Sequence, residues 1–67
     1  MERLLKIRLA AVRVNAGFSQ EELATKMQVS RATIVNWETY KSKMSEADLL
    51  LYSSICNFPK EQIFLPY

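Results

Sequence analysis

The sequence predicts an all-α domain built from five short helices, and three observations support that class. Apolar residues recur at helical spacing along most of the chain, serines stand where helices take N-caps, and no stretch alternates as a half-buried strand would. At 67 residues there is room for one core and no second module, so residues 1–67 are read as a single domain without repeats or low-complexity linkers.

Leu4, Leu5, Leu9, Ala10 and Val12 repeat at helical spacing among Arg and Lys, which predicts a first helix from Arg3 to Ala16 that stops at Gly17. Ser19 opens the second helix as N-cap, with Glu22 completing a capping box and Phe18 placed to staple onto Leu23. Leu23, Ala24 and Met27 form its inner face. Ser30 caps the third helix, which turns Ile34 and Trp37 inward and leaves Thr33 and Asn36 on the outer flank. Lys41–Ser45 reads as a loop. Ser45 and Asp48 resemble another capping box and start a fourth helix through Leu49, Leu50, Tyr52, Ser53 and Cys56, which Asn57 ends. Pro59 suits a first helical turn, so Pro59–Phe64 is read as a short fifth helix stopping before Pro66.

Composition narrows the function classes. Apolar residues make up 49% and charged residues 24%, ordinary for a globular domain. No apolar run approaches the ~18 residues of a spanning helix, and Glu2, Arg3, Lys6 and Arg8 leave the first residues without a signal-peptide core. A cytoplasmic location with no membrane partner is expected. Cys56 is the sole cysteine, which rules out an intrachain disulfide and favours a buried, inert thiol. With no histidine and no glycine-rich loop, the usual constructions for metal hydrolysis, Cys/His nucleophiles and phosphate cradles are missing. Glu21 and Glu22 point about 100° apart on a helix and do not converge as an acid/base pair. The expectation is a protein that is no enzyme, with no cofactor, no metal and no small-molecule substrate. Charge is uneven: residues 1–25 carry +1, residues 26–43 carry +3 and residues 44–67 carry −2. A positive middle and a negative tail give an anionic partner one face and leave the other end for something else.

Lys26–Glu38 carries the most specific pattern. Two helices that cross at roughly 90 to 120° through a short turn need apolar residues at set places, with a small one where the helices pass. Leu23, Ala24, Met27, Val29, Ile34 and Trp37 fill those places, and Ala24 is the small one. Only Gln28 departs, at a corner where a positive φ favours glycine. Six matching core positions outweigh it. Gln28 is expected to be left-handed with its side chain in solvent, at a cost on the order of 1 kcal/mol.

At these residues the sequence resembles a known family. "VRVNAGFSQEELATKMQVSRATIVNWE" is similar to the XRE-type helix-turn-helix of phage Cro proteins and repressor N-terminal domains, with a weaker likeness continuing through "LLLYSSICNFPKEQIF". The resemblance implies a compact lambda-repressor-like DNA-binding domain with its motif at about residues 19–38. In that geometry the third helix lies in the major groove of an operator and the preceding helix crosses the backbone. Arg31 then reaches guanine as a bidentate donor, Asn36 pairs with adenine, and Ala32 and Val35 meet thymine methyls. Val35 is telling, because an apolar outward residue has no structural purpose unless it meets DNA or a partner. Gln20 matches the family position that bonds phosphate and braces a neighbouring reader. Ser30, Thr33, Lys41 and Lys43 are further phosphate candidates, Ser30 serving first as a cap. The family counterparts of Arg13 and Glu38 form a structural ion pair tying the first helix to the third, whereas Trp37 is read as core.

Phe58, Ile63, Phe64, Leu65 and Tyr67 offer more apolar surface than a short fifth helix hides, so a weak homodimer through this segment is expected, matching a two-fold operator. The leading expectation is a Cro-like or repressor-like transcription regulator of a phage or mobile element that binds double-stranded DNA. The alternative is a protein-interaction module on the same fold, an antitoxin or bridging factor, which the negative tail keeps open.

Overall fold

A computed structural model describes residues 6–67. A two-residue strand β1 (Ile7–Arg8) leads into α1 (Leu9–Asn15), followed by α2 (Gln20–Met27), α3 (Arg31–Glu38) and α4 (Glu46–Cys56). A 3₁₀ turn at Lys60–Gln62 then delivers the chain to β2 (Ile63–Phe64).

The helices begin where their caps are. The Ser19 hydroxyl accepts the Glu22 N–H at 3.0 Å and the Glu22 carboxylate accepts the Ser19 N–H at 2.8 Å, closing the capping box and lowering the Glu22 pKa. Ser30 accepts from Thr33 N–H and Ser45 from Asp48 N–H, but the Asp48 side chain makes no return bond in its helix. Each helix ends on a left-handed residue: Gly17, Gln28, Tyr40 and Asn57 have φ of 88°, 60°, 62° and 53°. In every case that residue's N–H and the next one's reach back to successive carbonyls of the last turn. At α2 these are Gln28 N–H to Thr25 and Val29 N–H to Ala24; at α3 they are Tyr40 N–H to Trp37 and Lys41 N–H to Asn36. A side chain packed against the core normally follows such an ending, and Phe18, Val29 and Phe58 do so here. The residue in that place after α3 is Lys41, which is exposed.

Four α-helices are present among the described residues, one fewer than expected, and the difference lies in two segments. The expected first helix from Arg3 starts only at Leu9; Arg3, Leu4 and Leu5 lie outside the described residues. Ile7 and Arg8 are extended and pair in parallel with Ile63 and Phe64, in the register Ile7 to Ile63 and Arg8 to Phe64. The expected fifth helix is replaced by the 3₁₀ turn and β2. Between Pro59 and Pro66 there are too few residues to nucleate a stable α-helix, and Pro66 biases Leu65 towards an extended backbone. An extended Ile63 gains a partner strand and a buried side chain at 2% exposure. Sequence periodicity could not reveal a sheet of two residues per strand joined across almost the whole chain.

One core unites the helices. Leu9 and Val12 of α1, Leu23, Ala24 and Met27 of α2, Ile34 and Trp37 of α3, and Leu49, Tyr52 and Cys56 of α4 are buried together with Met44 and Ile63. Val29 is half-buried against them. Packing between α2 and α3 is the most extensive contact between helices. Gln28 stands at their corner with φ 60° and ψ 41°, its side chain exposed. No helix among the described residues is long and apolar enough to cross a membrane.

Burial of Ile63 corrects the expected dimer surface. Phe58 and Leu65 are also half-buried against the core, so of Phe58, Ile63, Phe64 and Leu65 only Phe64 is exposed. The apolar excess of this segment goes largely into closing a small core.

Candidate nucleic-acid interface

The candidate surface is built on α3. Its inner residues Ile34, Trp37 and Glu38 are buried, which fixes the helix's rotation and turns the opposite side outward. Arg31 and Ala32 are exposed, and Val35 and Asn36 half-buried, along that side. Their spacing puts them on one stripe over two turns. The Thr33 hydroxyl lies 3.0 Å from that of Ser30, so both polar groups sit beside the helix N-terminus.

Beneath this helix lies a buried polar hub. The Arg13 guanidinium donates from Nε to Glu38 Oε2 at 2.7 Å, from Nη2 to Oε1 at 3.2 Å, and from Nη1 to the Phe18 carbonyl at 2.9 Å. Gln20 Nε2 donates to Glu38 Oε1 at 3.2 Å, and the Tyr52 hydroxyl stands 2.9 Å from Oε2. A carboxylate this buried is tolerable only when paired and fully hydrogen-bonded, and Glu38 has donors from α1, α2 and α4 together. The bond to Glu38 raises the Arg13 pKa, more than partial burial opposes it. Among the described residues no buried side-chain nitrogen or oxygen lacks a partner.

Arg13, Ser19, Gln20, Glu21 and Arg31 line a surface depression of about 400 Å³ where the first turn of α2 meets the start of α3. The first turn of a helix leaves N–H groups without intrahelical partners, and the dipole makes that end attractive to anions. Ser19 takes up only the Glu22 N–H. Two arginines, a glutamine and an acidic residue, Glu21, therefore border a helix N-terminus, and the Arg13 guanidinium is already engaged by Glu38 and the Phe18 carbonyl. Gln20 spans both settings, with one amide hydrogen engaged by Glu38 and the residue itself bordering the depression.

The loop after α3 carries the remaining basic candidates. Lys41 and Lys43 are exposed, and the N–H groups of Lys41 and Ser42 both donate to the Asn36 carbonyl, fastening the loop to the last turn of α3. The Lys43 ammonium stands 5.4 Å from the centroid of the Tyr67 ring. Sequence reasoning did not single out Tyr40 and took Tyr52 and Tyr67 only as helix and apolar residues, missing the hydroxyl bonds by which Tyr52 joins the Glu38 hub and Tyr40 and Tyr67 hold the loop after α3. An inward-facing tyrosine needs a hydroxyl partner, and for Tyr52, in register with Leu49 and Cys56 on α4, that requirement was the available signal.

Among the described residues no cluster of His, Cys, Asp and Glu could hold a metal ion. No curated protein and no solved structure matches the chain significantly. A helix-turn-helix family matches residues 9–63, which spans α1 to the start of β2 and includes both motif helices and the Arg13–Glu38 pair. With the match covering most of the sequence and the corner, caps and core all falling in place, the chain belongs to the XRE-type helix-turn-helix family of DNA-binding regulators.

Proposed function

We propose that this protein is a sequence-specific transcriptional regulator of double-stranded DNA, of the Cro or repressor kind found in phages and mobile elements, acting in the cytoplasm by binding and without catalysis. The observation that carries the reading is the outward stripe Arg31, Ala32, Val35 and Asn36 on a helix whose rotation is held by Ile34, Trp37 and the Glu38 hub. Entering the major groove from Ser30, α3 brings the Arg31 guanidinium to guanine O6 and N7 and the Asn36 carboxamide to adenine N6 and N7. Ala32 and Val35 supply apolar contact to thymine methyls. The depression at the α2 N-terminus takes a backbone phosphate, with Gln20 donating its free amide hydrogen and Arg31 supplying the charge that Arg13, paired with Glu38, does not. Ser30, Thr33, Lys41 and Lys43 extend the backbone contacts on either side and position α3 without reading sequence.

Two copies on a two-fold site bring two α3 helices to half-sites about 34 Å apart. Phe64 and Tyr67 are the exposed aromatic residues of the C-terminal segment left to contribute, with Ile7 of β1 exposed as well. Selection from a random duplex pool tests both statements. The expected product is a palindrome bound by two chains, and Arg31→Ala and Asn36→Ala each lower binding to it by about 1 to 3 kcal/mol. If neither change weakens specific binding, the assignment of readers is wrong; an isolated half-site bound by one chain removes the dimer.

A further inference from the structure

The 63–67 segment touches the loop after α3 at both of its ends, and each touch is made by a tyrosine hydroxyl. At the start, Tyr40 donates to the Phe64 carbonyl at 2.7 Å and accepts the Leu9 N–H at 3.1 Å. Its ring meets Phe64 edge-on at 5.9 Å, with the Arg8 guanidinium 4.7 Å from the Tyr40 centroid and 5.8 Å from that of Phe64. At the far end, the Tyr67 hydroxyl accepts the Met44 N–H at 3.2 Å. The segment is itself anchored by Ile63, paired in β2 and buried, and by Leu65, packed against the core. Between the two touches lie Lys41, Ser42 and Lys43, all exposed, and Lys41 occupies the place where the other three helix ends put a packed apolar side chain.

We propose that Tyr40 and Tyr67 are positioning residues for DNA-backbone binding, holding the two ends of the 41–43 loop on the 63–67 segment so that Lys41 and Lys43 meet phosphates from a fixed backbone. This rests on the DNA-binding reading of those lysines. A loop ordered before association loses less conformational freedom on binding, so the same charges give tighter binding than they would on a free loop. The Tyr67 ring adds a resting place for the Lys43 ammonium, an exposed cation–π contact weak enough to yield to phosphate. Neither tyrosine touches a base in this arrangement. Their effect falls on affinity for any duplex and leaves base discrimination alone.

The test is a mutant cycle read on a random-sequence duplex across a salt series, with the selected operator in parallel. Tyr67→Phe, which keeps the ring and removes the hydroxyl, and Tyr40→Phe are each made in the native background and in a Lys41→Ala/Lys43→Ala background. Helical circular dichroism verifies folding at the assay temperature. In the native background each change is expected to weaken random-duplex binding roughly three- to tenfold, as the loss of one hydrogen bond in Tyr67→Phe and of two in Tyr40→Phe permits. The ratio of specific to random binding stays constant, and amide exchange at Met44 speeds up in Tyr67→Phe. In the lysine-free background the same changes leave binding unaltered, which a general loss of stability would not do. Equal losses in both backgrounds, or no loss in either, overturn the proposal. A native protein that binds no duplex overturns the DNA-binding reading and this proposal together, and that is visible before any variant is made.

Discussion

The Tyr52 hydroxyl lies 2.9 Å from Glu38 Oε2 and 2.8 Å from the Leu9 carbonyl, so one proton from α4 is shared between the end of α3 and the start of α1. Tyr52 and Leu9 are fully buried. Removing the hydroxyl in Tyr52→Phe leaves the carbonyl short of a donor and Glu38 with less compensation, an expected loss of about 1 to 3 kcal/mol. Glu38→Ala is expected to cost more, about 3 to 5 kcal/mol, because it strands the Arg13 guanidinium. Urea denaturation of both variants ranks them; equal stability of Tyr52→Phe and native protein would mean that the bond contributes nothing net.

Alkaline pH should unfold the protein through α4. Burial, with the nearby Glu38 charge adding to it, pushes the Tyr52 pKa well above its ordinary 10.0. Burial pushes the Cys56 thiol from 9.0 up to about 11, with Arg13 opposing and Glu38 reinforcing the shift. Both groups are neutral when protonated, and both hold their protons more tightly folded than unfolded. Their contribution is therefore fully present below about pH 9 and is lost as pH rises, first as the unfolded thiol ionises and then the unfolded phenol. Melting temperature measured from pH 7 to 11 should hold level and then fall, and Cys56→Ala should remove the earlier part of the fall. A flat profile would contradict the burial of both groups.

The left-handed positions differ in what their side chains do. Gln28 is exposed, so Gln28→Gly relieves strain of order 1 kcal/mol while adding freedom to the unfolded chain, with a net effect between unchanged and slightly stabilising. Tyr40 has nearly the same φ of 62° but its hydroxyl makes two bonds, so Tyr40→Gly is expected to lose about 2 kcal/mol or more. Thermal melts of the two variants should move apart. A destabilised Gln28→Gly protein would show that the corner depends on the glutamine itself.

Where the sequence predicted well, the causes were local. Ser19 with Glu22, Ser30 as the cap of α3, and the inward set Leu23, Ala24, Met27, Ile34 and Trp37 each depend on neighbours within a few residues, and each is found in the structure. Gln28 was legible because its neighbours left a corner there and nothing else. The failures have long-range causes. Ile7 and Arg8 are extended because Ile63 and Phe64 arrive beside them, and Ile63 is extended because the core accepts its side chain. Tyr40 carries no glycine-like mark of a left-handed residue; its conformation is held by the α3 end and by hydrogen bonds to Leu9 and Phe64. The outward stripe on α3 was readable from helical period, whereas the engagement of the Gln20 amide by Glu38 required the third dimension.

Pairing Ile7 with Ile63 also sets an order of events during synthesis. The first strand leaves the ribosome with its partner still untranslated, and closing so long a loop is among the costlier steps in folding a small chain. A chain that lacks this partner leaves the Tyr40 hydroxyl without its Phe64 acceptor and the core without Ile63. A nascent chain or degradation fragment ending before residue 63 would display α3 without that closure. The two distant segments thus close one edge of the core together, and a chain cut before residue 63 is expected to melt at a lower temperature than the whole.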